Sequence, residues 1–344
     1  MKAALVGCGS MSRGWLEACA RIEDLEIVAL VDLDLAAARR QAETFGLAGS
    51  LCFTDLAIAL EATRPDLVFD VTVPTARRGV VETALGHGCH VLTEKPMATS
   101  LADAGHFIDL ADTKGRLHAV VQNRRFHAGI RRMRRFVESG AIGALTAVHC
   151  DFFIAPHFGG FREDMDHVLL LDMAIHTFDA ARHVSGAAPR AVYCLEMNPK
   201  GSWYRTGAAA NALFEMSDGV VLTYRGSWAA EGLRTSWESA WRLVGEVGTL
   251  TWDGAEGFAA ERPAGRAGLL SDMASIDVPP LEPDDRIGGH EGVIRDFLDA
   301  VRTGRPPECP GSDNIRSLAM VLGAIRSAET GRRITFDTNM ELSA

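Results

Sequence analysis

The sequence predicts an α/β domain with a doubly wound parallel sheet, followed by an α+β domain with a large, mostly antiparallel open sheet. Three observations support this order. An apolar run at the N-terminus enters a glycine turn and an amphipathic segment, short buried strands alternate with helices up to residue 121, and later strands follow one another with turns at hairpin spacing. We therefore place the two domains at residues 1–121 and 122–344.

The composition is that of an ordinary globular protein. The chain has 344 residues, of which 47% are hydrophobic and 23% charged, and this length allows about two domains. The net charge of −10 argues against nucleic acid or an anionic membrane as a partner. No apolar run reaches the roughly 18–20 residues of a membrane span. Because the N-terminus already reads as a strand, no signal peptide is expected.

The cysteines indicate a reducing compartment. There are seven, scattered along the chain and without C-x-x-C spacing. An odd number of scattered cysteines is typical of free thiols rather than of a disulfide framework or a zinc site. We therefore expect a cytoplasmic protein.

The N-terminal stretch predicts a dinucleotide site. An apolar strand over residues 3–6 enters a Gly7-x-Gly9 turn, and a helix over residues 11–22 follows at once. Gly7 allows the tight turn, Gly9 lets a phosphate approach the backbone, and the helix N-terminus favours the anion. Ser12 stands where a third glycine is expected and is small enough for close helix–strand packing. The residues expected to contact the cofactor here are Gly7, Gly9, Ser10 and Met11.

The second strand, residues 26–32, predicts which cofactor is bound. It is a continuous apolar run that ends in Asp32, 23 residues beyond Gly9. A carboxylate at this place accepts hydrogen bonds from the adenine-side ribose hydroxyls and repels a 2′-phosphate. Leu33 and Asp34 offer no arginine to hold such a phosphate. We therefore predict NAD rather than NADP, with a solvated charge at a strand end as the alternative.

The alternation of strands and helices continues through the first domain. Helices are predicted at 35–45, 55–62, 77–85 and 101–113, and strands at 67–73, 90–93 and 117–121. In a doubly wound sheet, ligands bind beyond the carboxyl ends of the strands. Two segments follow strands in this way, and from them we expect four further residues to contact the cofactor: Val73, Pro74, Glu94 and Lys95.

Lys95 is the candidate catalytic group of the first domain. A lysine at a strand end can donate to a substrate oxygen and stabilise negative charge that develops on it; a surface lysine in a turn is the alternative. Glu94-Lys95-Pro96, after a glycine loop, resembles the signature of the glucose–fructose oxidoreductase / inositol dehydrogenase family (Gfo/Idh/MocA). The resemblance implies a Rossmann fold and a lysine that lies beside the nicotinamide and contacts the reacting hydroxyl.

A basic segment follows residue 121. Six arginines lie between Arg124 and Arg135, but the acidic chain and the few interleaved aromatics give little support to nucleic acid. Asn123 and Arg124, near the strand end, are candidate substrate contacts, and so is Arg125. For the others, a solvated helix face or a subunit contact is expected: Arg131, Arg132, Arg134 and Arg135. The runs 123–126 and 138–143 also resemble the family's domain junction.

The second candidate catalytic feature is a helix predicted over residues 169–185. Asp172 and His176 are four apart and share one face. A histidine beside a carboxylate can be oriented for proton transfer near neutral pH. The alternatives are a structural histidine satisfied by its neighbour, and a metal site. The metal site would draw on His157, His167 and His183, for which no ligand spacing is present.

This helix is similar to the family's Asp-x-Gly-x-His-x-x-Asp pattern. The match covers Asp172, His176 and Asp179, whereas Ala174 replaces the glycine. Residues 166–168 replace a triple glycine that the family often carries upstream. The resemblance therefore implies catalytic roles for Asp172 and His176 and leaves the substrate open.

The remainder predicts a sheet that ends in two helices. Strands are expected at 145–153, 190–196, 208–215, 220–227, 240–244 and 248–252, an irregular stretch at 254–283, and helices at 292–302 and 312–330. One face of this sheet is expected against the catalytic helix and the other against a partner subunit. The resemblance implies a homodimer or homotetramer.

Together these features predict an NAD(P)-dependent dehydrogenase or reductase. It would transfer hydride between nicotinamide and a secondary hydroxyl or keto group of a sugar or cyclic polyol. The hydroxyl would lie between Lys95 and His176, with His176 taking the proton, Asp172 supporting it and contacting substrate, and Lys95 stabilising the oxyanion. A non-catalytic NAD(H)-binding regulatory protein and a metal-dependent hydrolase are the alternatives.

Overall fold

The computed structural model describes residues 1–47, 51–283, 285–337, 340 and 342–343. The chain forms two compact units: Met1–Phe126 with Arg286–Leu318, and His127–Asp285 with Ala319–Ala344. From the sequence we expected a single boundary after Val121. The division differs from it because residues 286–318 belong to the first unit.

The first unit is built on a parallel sheet. Its strands are β1 (Lys2–Val6), β2 (Glu26–Val31), β3 (Cys52–Phe53), β4 (Leu67–Asp70), β5 (His90–Thr93) and β6 (His118–Val120). Its first five helices are α1 (Ser12–Cys19), α2 (Leu35–Thr44), α3 (Leu56–Thr63), α4 (Arg77–Gly86) and α5 (Leu101–Lys114). The strands lie in the order β3-β2-β1-β4-β5-β6, all parallel. The predicted doubly wound Rossmann sheet is confirmed, with its switch point between β1 and β4.

Two details of this sheet differ from the prediction. The short strand β3 was not expected, and β4 ends at Asp70 instead of continuing to Val73. The Asp70 carboxylate accepts hydrogen bonds from the Thr72 amide at 3.0 Å and the Thr72 hydroxyl at 2.6 Å. Because these bonds turn the chain out of the sheet, residues 71–73 form a loop at the end of β4.

The returning helix α8 (His290–Thr303) completes the core of the first unit. Its apolar residues recur with helical spacing and are buried, among them Val293 and Phe297. They join the same core as Trp15 and Leu16 of α1. Burial of such side chains stabilises by about 1.5–3 kcal/mol each, so α8 is an integral part of the first unit.

The second unit contains a ten-stranded sheet. Its strands are β7 (Leu145–Phe153), β8 (Pro189–Met197), β9 (Ala209–Met216), β10 (Val221–Ser227), β11 (Ala240–Gly245), β12 (Gly248–Trp252), β13 (Phe258–Ala267), β14 (Leu270–Ser275), β15 (Ile334–Phe336) and β16 (Leu342–Ser343). They lie in the order β14-β13-β12-β11-β7-β10-β9-β8-β15-β16. The β7–β10 pair is parallel and the other pairs are antiparallel. The predicted large, mostly antiparallel sheet is confirmed.

The expectation of an irregular stretch at 254–283 is wrong, because much of it forms the β13–β14 hairpin. The pairing slips between Pro263 and Gly265, which accounts for the absence of a clear strand pattern. Strand β12 pairs with β13 only between Phe258 and Glu261. Pro263 therefore has a strand neighbour on one side only, a position at which proline is tolerated.

Helices cover one face of the ten-stranded sheet. They are α6 (Ala128–Glu138), the π-helical turn Leu169–Ala174, α7 (Ile175–Ser185) and α9 (Gly311–Thr330), which the two units share. Phe178 of α7 packs edge-on against Phe214 and Tyr224, with ring centroids 4.8 and 5.2 Å apart. The side chains of Tyr193, Leu195, Met197 and Leu213 are exposed on β8 and β9. In the described parts of the chain, no helix is long and apolar enough to cross a membrane.

Candidate active site

A cavity of about 610 Å³ lies in the first unit at the carboxyl ends of β1, β2 and β4. Four of the residues predicted to bind cofactor line it together: Gly7, Gly9, Asp32 and Val73. Much of the remaining wall is apolar and comes from β2, α3 and α4. The cavity coincides with the switch point of the sheet, where a dinucleotide is expected in this fold.

The two glycines of the loop fit a bound pyrophosphate in different ways. Gly7 has a positive φ of 92°, and a Cβ on it would lie 2.8 Å from the carbonyl carbon and oxygen of Val71. A residue with a side chain would therefore strain the turn. A Cβ on Gly9 would meet nothing within 4 Å. The backbone at Gly9 is open to an approaching group, and this is what a phosphate in contact with the loop requires.

Asp32 is held in place by backbone donors. One carboxylate oxygen accepts from the Cys8 amide at 2.7 Å and the other from the Asp34 amide at 2.9 Å. A carboxylate has about four lone-pair sites, so Asp32 retains acceptor capacity for ribose hydroxyls. Burial, with Asp32 as the second cause, raises the pKa of the Cys8 thiol to about 12. The loop therefore carries a neutral thiol near neutral pH.

The other predicted cofactor contacts lie around the same loop. Ser10 and Met11 are exposed just before α1, and Pro74 follows Val73. The Ser12 hydroxyl donates to the Gly9 carbonyl at 2.7 Å. Ser12 thus closes the loop with a hydrogen bond at the position where a third glycine is usual.

Glu94 anchors the strand end that carries Lys95. One of its carboxylate oxygens accepts from the Trp15 indole at 2.8 Å and lies 3.1 Å from Nε2 of His290, and the other accepts from the Lys95 amide at 3.0 Å. Burial acts to raise the pKa of Glu94, but the hydrogen bond to His290 and the charges of His290 and Lys95 bring it below its usual value. Glu94 is therefore an anion that fixes the backbone of Lys95. Sequence reasoning missed Trp15 and His290.

Arg77 binds the backbone of Pro96, the residue that follows Lys95. Its guanidinium is 1% exposed and donates to the Asp70 carboxylate at 3.1 Å, to the Thr72 carbonyl at 2.6 Å and to the Pro96 carbonyl. The Lys95–Pro96 peptide bond is cis. No motif in the sequence marked Arg77, because its partners are brought together only by the sheet.

Replacing Arg77 by leucine is expected to destabilise the protein by about 3–5 kcal/mol, since it leaves the buried Asp70 carboxylate without its counter-charge. Urea unfolding measures this loss. Arg78→Leu is the matched control, because Arg78 is exposed and its ion pairs to Glu82 and Asp103 lie at the surface. Its replacement should change the free energy of unfolding little. Equal losses for the two variants would contradict the role given to Arg77.

The end of β6 carries buried polar atoms. Both amide atoms of Gln122 and Oδ1 of Asn123 are buried without a hydrogen-bond partner among the residues that the structure describes. Such atoms are uncommon in proteins unless water or a ligand meets them. They mark a polar region beside the strand that leads to Lys95. Arg124 is half-buried in the same turn, whereas Arg125 binds the Glu308 carbonyl and the Asp313 carboxylate.

Of the two accounts expected for the arginines of α6, the solvated helix face is wrong for three of them, and the subunit contact stays a prediction. Arg132 donates to the Pro279 carbonyl at 2.9 Å, and Arg134 donates to the His183 carbonyl at 2.6 Å. Arg135 pairs with Asp285 at 2.6 Å. The arginines hold neighbouring backbone segments, because a guanidinium can satisfy several carbonyl and carboxylate oxygens at once.

Asp172 and His176 lie in the second unit, on a helix that changes type. Asp172 belongs to the π-helical turn Leu169–Ala174 and His176 to the first turn of α7. Both side chains are half-buried. One oxygen of Asp172 accepts from Nε of Arg162 at 2.7 Å, a partner that no motif indicated. Wide helical turns of this kind are frequent at functional sites.

His167 precedes this turn and is bound by carboxylates. Its φ of 52° is left-handed, and its ring nitrogens lie 2.5 Å from Glu196 and 3.4 Å from Glu329. His157 instead stacks on Trp203, with centroids 3.8 Å apart. Within the described residues, no three His, Cys, Asp or Glu side chains form a group that could hold a metal ion.

The pairing of His167 predicts a pH-dependent stability. The hydrogen bond that the protonated His167 ring donates to the Glu196 carboxylate raises the pKa of His167 above its usual value of 6.5. The resulting stabilisation is fully present below the unfolded-state pKa and is lost as the pH rises through the higher folded-state pKa. Urea unfolding should therefore show a larger difference between the wild type and Glu196→Gln at about pH 6 than at about pH 9. A difference that does not change with pH would contradict this account.

A doubly wound sheet with a glycine-lined cavity at its switch point defines a dinucleotide-binding protein with a second, sheet-based unit. Comparison with known families gives the same class. Residues 1–122 match the oxidoreductase family with an NAD-binding Rossmann fold, and residues 130–251 match the GFO/IDH/MocA C-terminal domain. The chain belongs to the Gfo/Idh/MocA family of oxidoreductases and is an enzyme of that class.

Several relatives are named for sugar chemistry. D-apiose dehydrogenase of Paraburkholderia graminis is 28% identical over 97% of this chain and 89% of its own length. D-glucoside 3-dehydrogenase of Escherichia coli is 31% identical over 54% of each chain. An oxidoreductase from Agrobacterium radiobacter, solved with NAD+, L-tartaric acid and magnesium, has a TM-score of 0.84 at 23% identity and covers 97% of this chain and 98% of its own. This last likeness concerns the fold alone.

Proposed function

We propose that this enzyme transfers hydride between NAD and a secondary hydroxyl or keto group of a sugar or cyclic polyol. One observation carries the proposal. The backbone of Lys95 is fixed by Glu94 at the end of β5, and the same unit contains the cavity that Asp32 lines. The names of the relatives support the substrate class, since they include dehydrogenases of D-apiose, inositol and D-glucosides. Nicotinamide, when bound, supplies the hydride acceptor or donor.

Lys95 is proposed to stabilise negative charge on the substrate oxygen as its proton leaves. Its ammonium is a donor on a backbone fixed by the Glu94 carboxylate and, through Pro96, by Arg77. A donor that is oriented before the reaction needs little reorganisation in the transition state. Asn123 and Arg124, at the neighbouring strand end, are proposed to contact substrate.

His176 is proposed as the general base that removes the hydroxyl proton, and as the acid in the reverse direction. A histidine side chain is the ordinary choice for proton transfer near neutral pH. Asp172 is proposed to support His176 and to contact substrate. The ion pair with Arg162 fixes the Asp172 carboxylate, so Arg162 joins the set of residues that control proton transfer.

NAD is proposed as the preferred cofactor. The support is the Asp32 carboxylate at the cavity and the exposed, uncharged Leu33 that follows it. A 2′-phosphate near Asp32 would meet like charge, and no arginine is among the described residues that line the cavity. Titration of the purified protein should give a lower dissociation constant for NAD than for NADP. The preference should diminish in Asp32→Ala.

A homodimer or homotetramer in the cytoplasm is proposed for the assembly. The exposed apolar side chains on β8 and β9, such as Leu195 and Leu213, support a contact between copies of the ten-stranded sheet. All seven cysteines are free thiols, and a reducing compartment keeps them so. Light scattering on the wild type and on Leu195→Glu tests the contact, because a charge at a buried interface should weaken association.

The function is tested by adding sugars and polyols to the tighter cofactor complex. We expect NADH to form with at least one of them. Saturable binding of NAD without reduction by any member of a broad panel would favour a regulatory NAD(H)-binding protein instead. Activity that requires a metal and no nicotinamide would favour a hydrolase.

A further inference from the structure

Four aromatic side chains lie in two loops and a strand connection of the second unit, and two of them contact Arg162, the partner of Asp172. They are Phe158, Phe161, Trp203 and Trp237, and together we call them the aromatic shelf. Phe158, Phe161 and Trp237 are 47%, 61% and 45% exposed, and Trp203 is half-buried. Exposed aromatic groups in one place mark binding surfaces more often than isolated exposed residues do.

Arg162 connects the aromatic shelf to the catalytic helix. Its guanidinium carbon lies 4.9 Å from the ring centroids of both Phe158 and Phe161. Its Nε donates to the Asp172 carboxylate at 2.7 Å. A single guanidinium therefore separates these two rings from the Asp172 carboxylate. A ligand with one ring at Asp172 has its next ring within reach of the shelf.

The aromatic shelf packs on the buried side chains of Trp228 and Tyr204. Phe158 packs on the buried Trp228 with centroids 5.5 Å apart, and Trp228 in turn packs on Tyr204 at 5.8 Å. The Tyr204 hydroxyl and the Trp203 indole both donate to the Pro156 carbonyl, at 2.6 and 3.2 Å. The two loops are therefore fixed to each other. Their exposed rings are oriented before any ligand arrives, which lowers the entropy lost on binding.

The charges around the shelf select against phosphate-bearing ligands. Five carboxylates and three arginines lie in the segments 155–166, 203–206 and 228–238 around the shelf. The carboxylates are those of Glu163, Asp164, Asp166, Glu231 and Glu238, and the arginines are Arg162, Arg205 and Arg234. Two of the arginines are already paired, Arg162 with Asp172 and Arg205 with Asp166. A diphosphate would meet a negative surface. Carboxylates and paired arginines instead suit neutral hydroxyl groups, which both donate and accept hydrogen bonds.

A sugar ring has the complementary chemistry. One face of a pyranose presents C–H groups that pack on the negative face of an aromatic ring, and its rim presents hydroxyls. His157 and Glu231, 3.0 Å apart beside Trp203, are polar partners for such hydroxyls. We propose that the aromatic shelf binds a second, neutral sugar ring, so that the preferred substrate is a glycoside rather than a free monosaccharide. This inference rests on the proposed function, whose reacting ring it extends.

The test compares kcat/KM for a free monosaccharide with that for disaccharides in which the same ring carries a second neutral sugar. We expect the wild type to prefer the glycoside by about tenfold or more, the effect of roughly one well-packed ring contact. Trp237→Leu and Phe158→Leu keep apolar bulk without the ring. Each should lower the ratio of the two kcat/KM values several-fold, and Trp237→Phe should restore most of it.

The control is Leu233→Ala, which truncates a fully exposed apolar side chain in the same loop as Trp237 and should leave the ratio unchanged. A wild type without preference for the glycoside overturns the inference. So does a ratio that neither ring-removing variant lowers, and so does a stronger preference for a nucleotide-linked sugar. Circular dichroism confirms that each variant is folded.

Failure of the proposed function is separable from failure of this inference. If no sugar reduces NAD, the proposed function fails, and the shelf is judged by tryptophan fluorescence during titration with the same disaccharides. Saturable binding that Phe158→Leu weakens supports the shelf as a sugar site without turnover. No saturable change in fluorescence, or equal binding by that variant, overturns it.

Discussion

Replacing Lys95 by methionine is expected to lower kcat by about 10²–10³, the usual effect of removing one oxyanion donor. Methionine has nearly the length of lysine but no charge and no donor. Glu94 accepts a hydrogen bond from the backbone amide of residue 95, which the substitution keeps, so the strand end should keep its position. The initial rate of NADH formation at saturating substrate measures the loss.

The matched control is Lys114→Met, which removes an exposed lysine at the end of α5 and should leave kcat unchanged. The dissociation constant for NAD, measured by fluorescence titration, should stay within a few-fold of the wild type in both variants. A Lys95→Met enzyme with near-normal kcat would remove Lys95 from the mechanism. A large loss of NAD affinity would instead assign it to cofactor binding.

The second large effect is expected at the glycine loop. Gly9→Ala should weaken NAD binding tenfold or more, or about 1.4 kcal/mol, because its methyl group would occupy the space through which a phosphate approaches the backbone. Nothing in the protein lies within 4 Å of that methyl group. The melting temperature without cofactor should therefore stay close to the wild-type value.

Substitutions at Gly7 and Gly14, on either side of Gly9, are the controls for this prediction. Gly7→Ala should lower the stability of the protein itself by about 1–3 kcal/mol, because its φ is positive and its Cβ would lie 2.8 Å from the Val71 backbone. Gly14 lies within α1 with nothing within 4 Å, so Gly14→Ala should raise stability slightly and leave NAD binding unchanged. Equal NAD affinities for Gly9→Ala and Gly14→Ala would contradict the loop assignment.

Features that depend on a few adjacent residues could be predicted from the sequence. The Gly7-x-Gly9 turn and Asp32 can each be recognised from a short stretch between a strand and a helix. In the structure both line one cavity. Strand β7 begins and ends where its pattern predicts. The β13–β14 hairpin could not be predicted, since its proline and glycines interrupt the alternation of a strand.

Interaction partners that lie far apart in the chain could not be predicted from the sequence. Glu94 binds Trp15, 79 residues earlier, and His290, 196 residues later. Neither pairing leaves a local pattern, because it depends on the packing of α1 and α8 in one core. The helix that carries Asp172 and His176 was predicted as one continuous helix, and no feature of its sequence indicated the π-helical turn at Leu169–Ala174.

The transfer of the hydride can be followed with a deuterated substrate. The enzyme is incubated with NAD and with the best substrate of the panel, deuterated at its carbinol carbons, and the reduced cofactor is analysed by mass spectrometry. If the enzyme transfers hydride from a sugar or polyol carbon to nicotinamide, the reduced cofactor carries one deuterium from that carbon. Reduced cofactor without deuterium, or no reduced cofactor with any sugar or polyol, would contradict the account.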